Sequence, residues 1–107
     1  METDGITIKK EAVKNRTGII PYPIRPGYVL TRGERSELVS ILQLMLGALS
    51  INYDIPHVAL SGEYDDITSD SVKLFQKLNL LDESGDVDGV TWDRLAEEYN
   101  RTVNDNQ

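Results

Sequence analysis

One seven-residue pattern occurs twice in this chain and constrains its fold more than any other stretch. Gly62-Glu63-Tyr64-Asp65-Asp66-Ile67-Thr68 and Gly85-Asp86-Val87-Asp88-Gly89-Val90-Thr91 both read Gly, acid, apolar, Asp, Asp or Gly, Ile or Val, Thr, 23 residues apart (85 − 62). Each copy reads as a turn that launches a helix. The leading Gly suits positive φ, and the Asp after the apolar residue can hydrogen-bond its own backbone. Thr68 and Thr91 are the N-cap candidates, followed by Asp70 and Asp93 in the first turn, where negative charge suits exposed amides. Ile67 with Val72, and Val90 with Leu95, stand at the spacing of a hydrophobic staple.

Three helices follow from the apolar spacing. The first is capped near Ser36 and runs to Leu49 or Ser50. Its stripe of Val39, Leu42, Leu46 and Leu49 is widened by Leu38, Ile41 and Met45, so it is the central helix. Gly47 inside it points to a close backbone approach or an early end. The second, Ser69 to about Asn79, buries Val72, Phe75 and Leu78. The third, Trp92 to about Arg101, presents Trp92, Leu95, Ala96 and Tyr99 at i, i+3, i+4, i+7. Between the first two, residues 50–61 read as a loop with an extended piece at Val58-Ala59-Leu60. A second echo links the first two helices: Val39-x-x-Leu42-Gln43 and Val72-x-x-Phe75-Gln76. A buried amide must be hydrogen-bonded, so both glutamines are read as clamps on the adjoining loops rather than as ligand contacts.

The chain of 107 residues, 39% hydrophobic, has room for one small domain. The expected organisation is a linker or docking arm over 1–21, a domain over 22–101 and a frayed tail over 102–107. Residues 1–29 are expected to follow an extended or turning path, because they lack helical periodicity and hold Pro21, Pro23 and Pro26. The fold class is all-α: an orthogonal three-helix bundle with an internal turn-helix duplication and an extended N-terminal arm. Residues 1–29 carry five Lys/Arg against three acids, and residues 30–107 carry six against fifteen. Such an acidic domain repels phosphate backbones, so neither nucleic acid nor membrane is expected as partner. Met1-Glu2-Thr3-Asp4-Gly5 lacks the basic and apolar regions of a secretory signal, so export would be expected to use a signal on a longer parent chain or one already removed. The longest apolar run, Leu38 to Leu49, is too short to span a bilayer.

Little in the sequence points to catalysis or to a cofactor. Asp82 to Gly89 invites a calcium-loop reading, but the register that puts Gly89 sixth puts Leu95 at position twelve, where a bidentate acid belongs. His57 is the single histidine and there is no cysteine, which excludes disulfides, thiolate metal sites and a multi-histidine metal site within the chain. No nucleophile setting accompanies His57. Trp92, Phe75 and Tyr99 lie on core stripes. Tyr22, Tyr28, Tyr53 and Tyr64 lie in loops or turns, where a ring can stack on a sugar face; for Tyr64 the reading as the apolar plug of its turn is favoured, matching Val87 in the other copy.

Taken together, Leu30-Thr31-Arg32-Gly33, Val39-x-x-Leu42-Gln43, the Gly62–Thr68 turn, Val72-x-x-Phe75-Gln76 and Gly85-Asp86-Val87-Asp88-Gly89-Val90-Thr91-Trp92-x-x-Leu95 closely resemble the peptidoglycan-binding domain family. These are small three-helix modules attached to bacterial cell-wall hydrolases and spore-cortex enzymes. The resemblance covers roughly Tyr22 to Tyr99, with Pro26-Gly27-Tyr28 similar to the lead-in of clostridial and bacillar members. It departs at the first turn, where Ser61 replaces Asp and Asp65 replaces the second Gly; tolerance of Asp for left-handed geometry is expected to preserve that turn.

The resemblance implies non-catalytic binding of cell-wall peptidoglycan, through glycan or stem peptide, tethering an attached or partner hydrolase to the wall. It implies no enzyme activity and no cofactor, a monomer within a longer chain, and a location in the cell envelope or outside the cell. The expected ligand-binding face comprises Tyr28, Arg32, Tyr64, Asp65 and Thr68, grouped around the turns. The alternative is a protein-interaction or regulatory module docking a basic partner. The same fold serves as the prodomain of matrix metalloproteinases, whose inhibitory Cys motif is missing here.

Overall fold

The computed structural model describes residues 24–105. It holds three helices in the order α1 (Glu37–Leu49), α2 (Asp66–Leu78) and α3 (Gly89–Asp105). Among the described residues there is no strand, only two isolated antiparallel bridges, Leu30 with Val87 and Arg35 with Glu63. The fold is the three-helix bundle expected. The arm assigned to residues 1–21 lies outside the described residues.

The central role of α1 follows from its burial. Val39, Leu42, Met45, Leu46 and Leu49 are all inaccessible, and α1 packs on both other helices. Full burial of each such side chain is worth about 1.5–3 kcal/mol. Ser36 caps the helix as expected, its hydroxyl accepting from the Val39 N–H at 3.4 Å. Gly47 does not end it; the His57 ring lies against that position, 3.7 Å from where a Cβ would stand. From the other helices Val72, Phe75, Trp92 and Leu95 complete the core, joined by Leu30, Ile55, Val58, Tyr64 and Val87 from the loops. Val58 is buried without forming an extended strand. Tyr53 stacks obliquely on Phe75, ring centroids 5.6 Å apart.

Four local expectations are corrected. The helices start earlier than Ser69 and Trp92, because Asp65 and Asp88 are the capping residues, not the threonines three positions on. The Asp65 carboxylate accepts from the Thr68 N–H and the Asp88 carboxylate from the Thr91 N–H, both at 2.9 Å. The staples do not form: Ile67 and Val90 are 54% and 64% exposed. Leu78 is also exposed, and Leu81 packs on the core in its stead. The tail does not fray at Thr102. Helix α3 continues to Asp105, and Thr102, nearly buried, accepts from the Asn52 side chain at 3.3 Å.

Helix α2 ends in a Schellman turn. The Leu81 N–H reaches the Gln76 carbonyl at 2.8 Å and the Leu80 N–H the Lys77 carbonyl at 3.2 Å. The left-handed residue of that turn is Leu80, at φ 59°.

Candidate functional site

The two turn copies form matching corners. At the first, Gln43 of α1 donates through Nε2 to the Glu63 carbonyl at 2.9 Å, to Thr68 Oγ1 at 3.1 Å and to Ser61 Oγ at 3.3 Å. Its Oε1 accepts from the Gly62 N–H at 2.8 Å. At the second, Gln76 of α2 donates to the Asp86 carbonyl at 2.9 Å, Thr91 Oγ1 at 3.1 Å and Ser84 Oγ at 3.3 Å, and accepts from the Gly85 N–H at 2.9 Å. Gly62 and Gly85 both sit at φ 80°, where a Cβ is disfavoured. Each glutamine is thus the clamp expected of it, with amide and carbonyl both satisfied in a site where an unpaired group would be costly. The correspondence begins one residue before each glycine, at Ser61 and Ser84. Both hydroxyls were visible in the sequence ahead of Gly62 and Gly85 and complete the pattern.

The segment from Leu30 to Ser36 laces the corners together. Leu30 and Val87 exchange both backbone hydrogen bonds at 2.9 Å, while the Gly33 N–H reaches the Tyr64 carbonyl and the Tyr64 N–H the Glu34 carbonyl, also at 2.9 Å. Thr31 Oγ1 donates to Asp86 Oδ1 at 2.8 Å. Two ion pairs follow the same seam: Arg32 with Asp66 at 3.2 Å and Arg35 with Glu63 at 3.4 Å. These pairs are exposed and contribute little stability; their effect is to present charge in fixed positions.

The five residues expected to face a ligand divide into two groups. Tyr28, Arg32 and Asp65 reach the surface, Tyr28 half-buried and the other two exposed. The Tyr28 hydroxyl donates to Glu34, which also accepts from Ser36, and the Arg25 guanidinium lies 5.9 Å from the Tyr28 ring centre. The bond to Glu34, followed by burial, raises the Tyr28 phenol above its usual range. Asp65 is held below the ordinary carboxylate value, first by the Thr68 hydroxyl and then by the Thr68 N–H. It stands at φ −98°, extended rather than left-handed, so it preserves the turn as a cap. Tyr64 and Thr68 are corrections. Tyr64 is 1% exposed and Thr68 fully buried, leaving no side-chain surface for a ligand. The Tyr64 hydroxyl is committed to the Gly85 carbonyl at 2.6 Å, and its burial pushes the phenol well above the normal range. Thr68 Oγ1 donates to Asp65 at 2.6 Å while accepting from Gln43. Both act beneath the surface. Glu34, Arg35, Glu63 and Asp66, which share that surface, were not singled out from sequence because their pairing depends on the seam.

A groove of about 330 Å³ runs between α1 and the end of α3, lined largely by Leu44, Ala48, His57, Val58, Leu60 and Val103. Among the described residues no three His, Cys, Asp or Glu side chains gather as a metal ion would require, and no helix is long and apolar enough to cross a membrane.

A bundle whose helices are joined by glutamine-clamped corners is a small helical module, and the comparison with known families agrees. Residues 35–95, more than half of the chain, match the family described as putative peptidoglycan binding domain, a stretch that takes in α1, both corners and the start of α3. The chain belongs to the peptidoglycan-binding domain family. No curated protein and no solved structure matches it. Membership suggests peptidoglycan as partner and association with the cell wall, and the family is one of non-catalytic modules.

Proposed function

We propose that this chain is a non-catalytic module that binds peptidoglycan and holds an attached or partner hydrolase at the wall. The family match over both corners carries the reading. Tethering raises the local concentration of an enzyme near its polymer even where each contact is weak. The binding face is formed by Tyr28, Arg32 and Asp65, with Glu34 and Asp66 beside them and Tyr64 and Thr68 as internal supports. A ring, a guanidinium and carboxylates held by the seam suit the hydroxyls and amides of a glycan or a stem peptide.

Co-sedimentation with purified sacculi, intact and stripped of stem peptides, tests the reading. Wild-type chain should pellet with intact sacculi, and loss on stripping would assign the contact to the peptide. Wild-type chain remaining in the supernatant with both would overturn wall binding. A folded Tyr28→Ala/Arg32→Ala/Asp65→Ala variant that pellets as well as wild type would overturn the face alone. The acidic balance of residues 30–107, six basic against fifteen acidic side chains, supports a second reading, docking to a basic protein. That reading requires steep weakening of such a complex by salt, together with no retention on sacculi.

A further inference from the structure

Helix α2 buries Thr68, Val72, Phe75 and Gln76 and leaves an ordered surface on the opposite side. Ile67, Leu74 and Leu78 are 54%, 38% and 53% exposed. At about 100° per residue they fall on one line within about 40°. A second line runs along one flank of the first and holds only charges. Asp66 and Asp70 come in its N-terminal half, Lys73 and Lys77 in its C-terminal half, all exposed.

We propose that this face of α2 pairs antiparallel with the same face of a second copy of the chain. In an antiparallel helix pair each flank meets its own counterpart in reverse order. The charged row then sets Asp66 and Asp70 against Lys77 and Lys73 of the second copy, twice over, while the apolar row closes on itself with Ile67 near Leu78. A two-fold contact requires a self-complementary patch, and the order acid, acid, base, base is self-complementary only in this antiparallel arrangement. A parallel pair would not match it, and a generally basic partner would meet the lysines unfavourably. Asp66 already pairs with Arg32, so Asp70, Lys73 and Lys77 carry most of the selectivity. Repulsion between two chains of net charge −7 opposes the contact, which makes it reversible and concentration-dependent. The inference goes beyond wall binding and does not rest on it.

Sedimentation equilibrium of the full 107-residue chain over a wide concentration range tests it. Wild type should show a monomer–dimer equilibrium. Lys73→Glu/Lys77→Glu should weaken it about tenfold or more, as should Asp66→Lys/Asp70→Lys, and an equimolar mixture of the two variants should recover a heterodimer. Leu74→Lys, which touches no cap or ion pair, should also weaken it and serves if the Asp66 variant fails to fold. Wild-type chain that stays monomeric throughout would overturn the proposal, whatever else covers α2. So would a dimer indifferent to both charge reversals and to Leu74→Lys.

Discussion

The Tyr64 hydroxyl, on the first corner, donates to the Gly85 carbonyl of the second at 2.6 Å. The same carbonyl accepts from Ser69 Oγ at 3.2 Å, so α2 is pinned at its start to the loop that follows its end. Tyr64→Phe removes one of these bonds and leaves the carbonyl its second partner. The expected cost is about 1 kcal/mol. Tyr64→Ala also empties a buried ring site and should cost about 3–5 kcal/mol. Urea unfolding measures both as a lower midpoint at unchanged slope.

Gln43 and Gln76 make equivalent sets of bonds, so equivalent losses are expected from their removal. Gln76→Leu keeps the apolar bulk but strands the buried Gly85 N–H and leaves the Asp86 carbonyl only its bond from Ser84 Oγ at 3.2 Å, at about 1–3 kcal/mol. Gln43→Leu does the same to Gly62 and Glu63 and should fall within about 1 kcal/mol of it. Native-state hydrogen exchange supplies a second readout. Gly85 N–H should exchange faster in the Gln76 variant while Gly62 N–H keeps its protection, and the converse holds for the Gln43 variant.

Much of this arrangement was legible in the sequence, and the exceptions have physical causes. The stripes on α1 and α3 and the buried glutamines follow from apolar spacing and the cost of an unpaired amide. The caps were placed three residues late because Asp65-x-x-Thr68 and Asp88-x-x-Thr91 each hold two good cap residues, and the pattern does not say which accepts and which donates. That shift misassigned Ile67 and Val90 as staples, when the earlier helix start turns both outward. Thr102 is fixed by Asn52, a contact across 50 residues that no local pattern carries. At the candidate face, residue type singles out Tyr28, Arg32 and Asp65, and their side chains reach the surface. Tyr64 and Thr68 were included because a turn position does not reveal on which side of the backbone its side chain packs.

Asp65 gives the first corner a pH dependence. Its hydrogen bonds from Thr68 hold the folded-state pKa below the ordinary 3.8. A depressed carboxylate contributes stability that is fully present above the unfolded value and is lost as pH falls through the folded one. Wild type should therefore exceed Asp65→Ala by about 1 kcal/mol at neutral pH, with the gap closing as pH falls below 3.8. Asp65→Asn keeps a competent cap without a titrating group, so its difference from Asp65→Ala should stay flat across that window. Thermal unfolding of the three proteins over an acid pH series is the measurement. A gap between wild type and Asp65→Ala that widens toward low pH would contradict the assigned cap.

Leu80 occupies the left-handed position of the turn that closes α2, at φ 59°, and its side chain is 94% exposed. Its Cβ is a steric burden in this conformation, worth about 1–2 kcal/mol, and burial offsets almost none of it. Glycine is the usual occupant of such a position. Leu80→Gly should remove the strain, lose little packing and add some entropy to the unfolded chain, for a net gain of about 0.5–1 kcal/mol. Leu80→Ala keeps the Cβ and should leave stability within about 0.5 kcal/mol of wild type. Chemical denaturation separates the two cases: a higher midpoint for glycine alone locates the cost in the backbone, whereas equal gains from both would locate it in the exposed side chain.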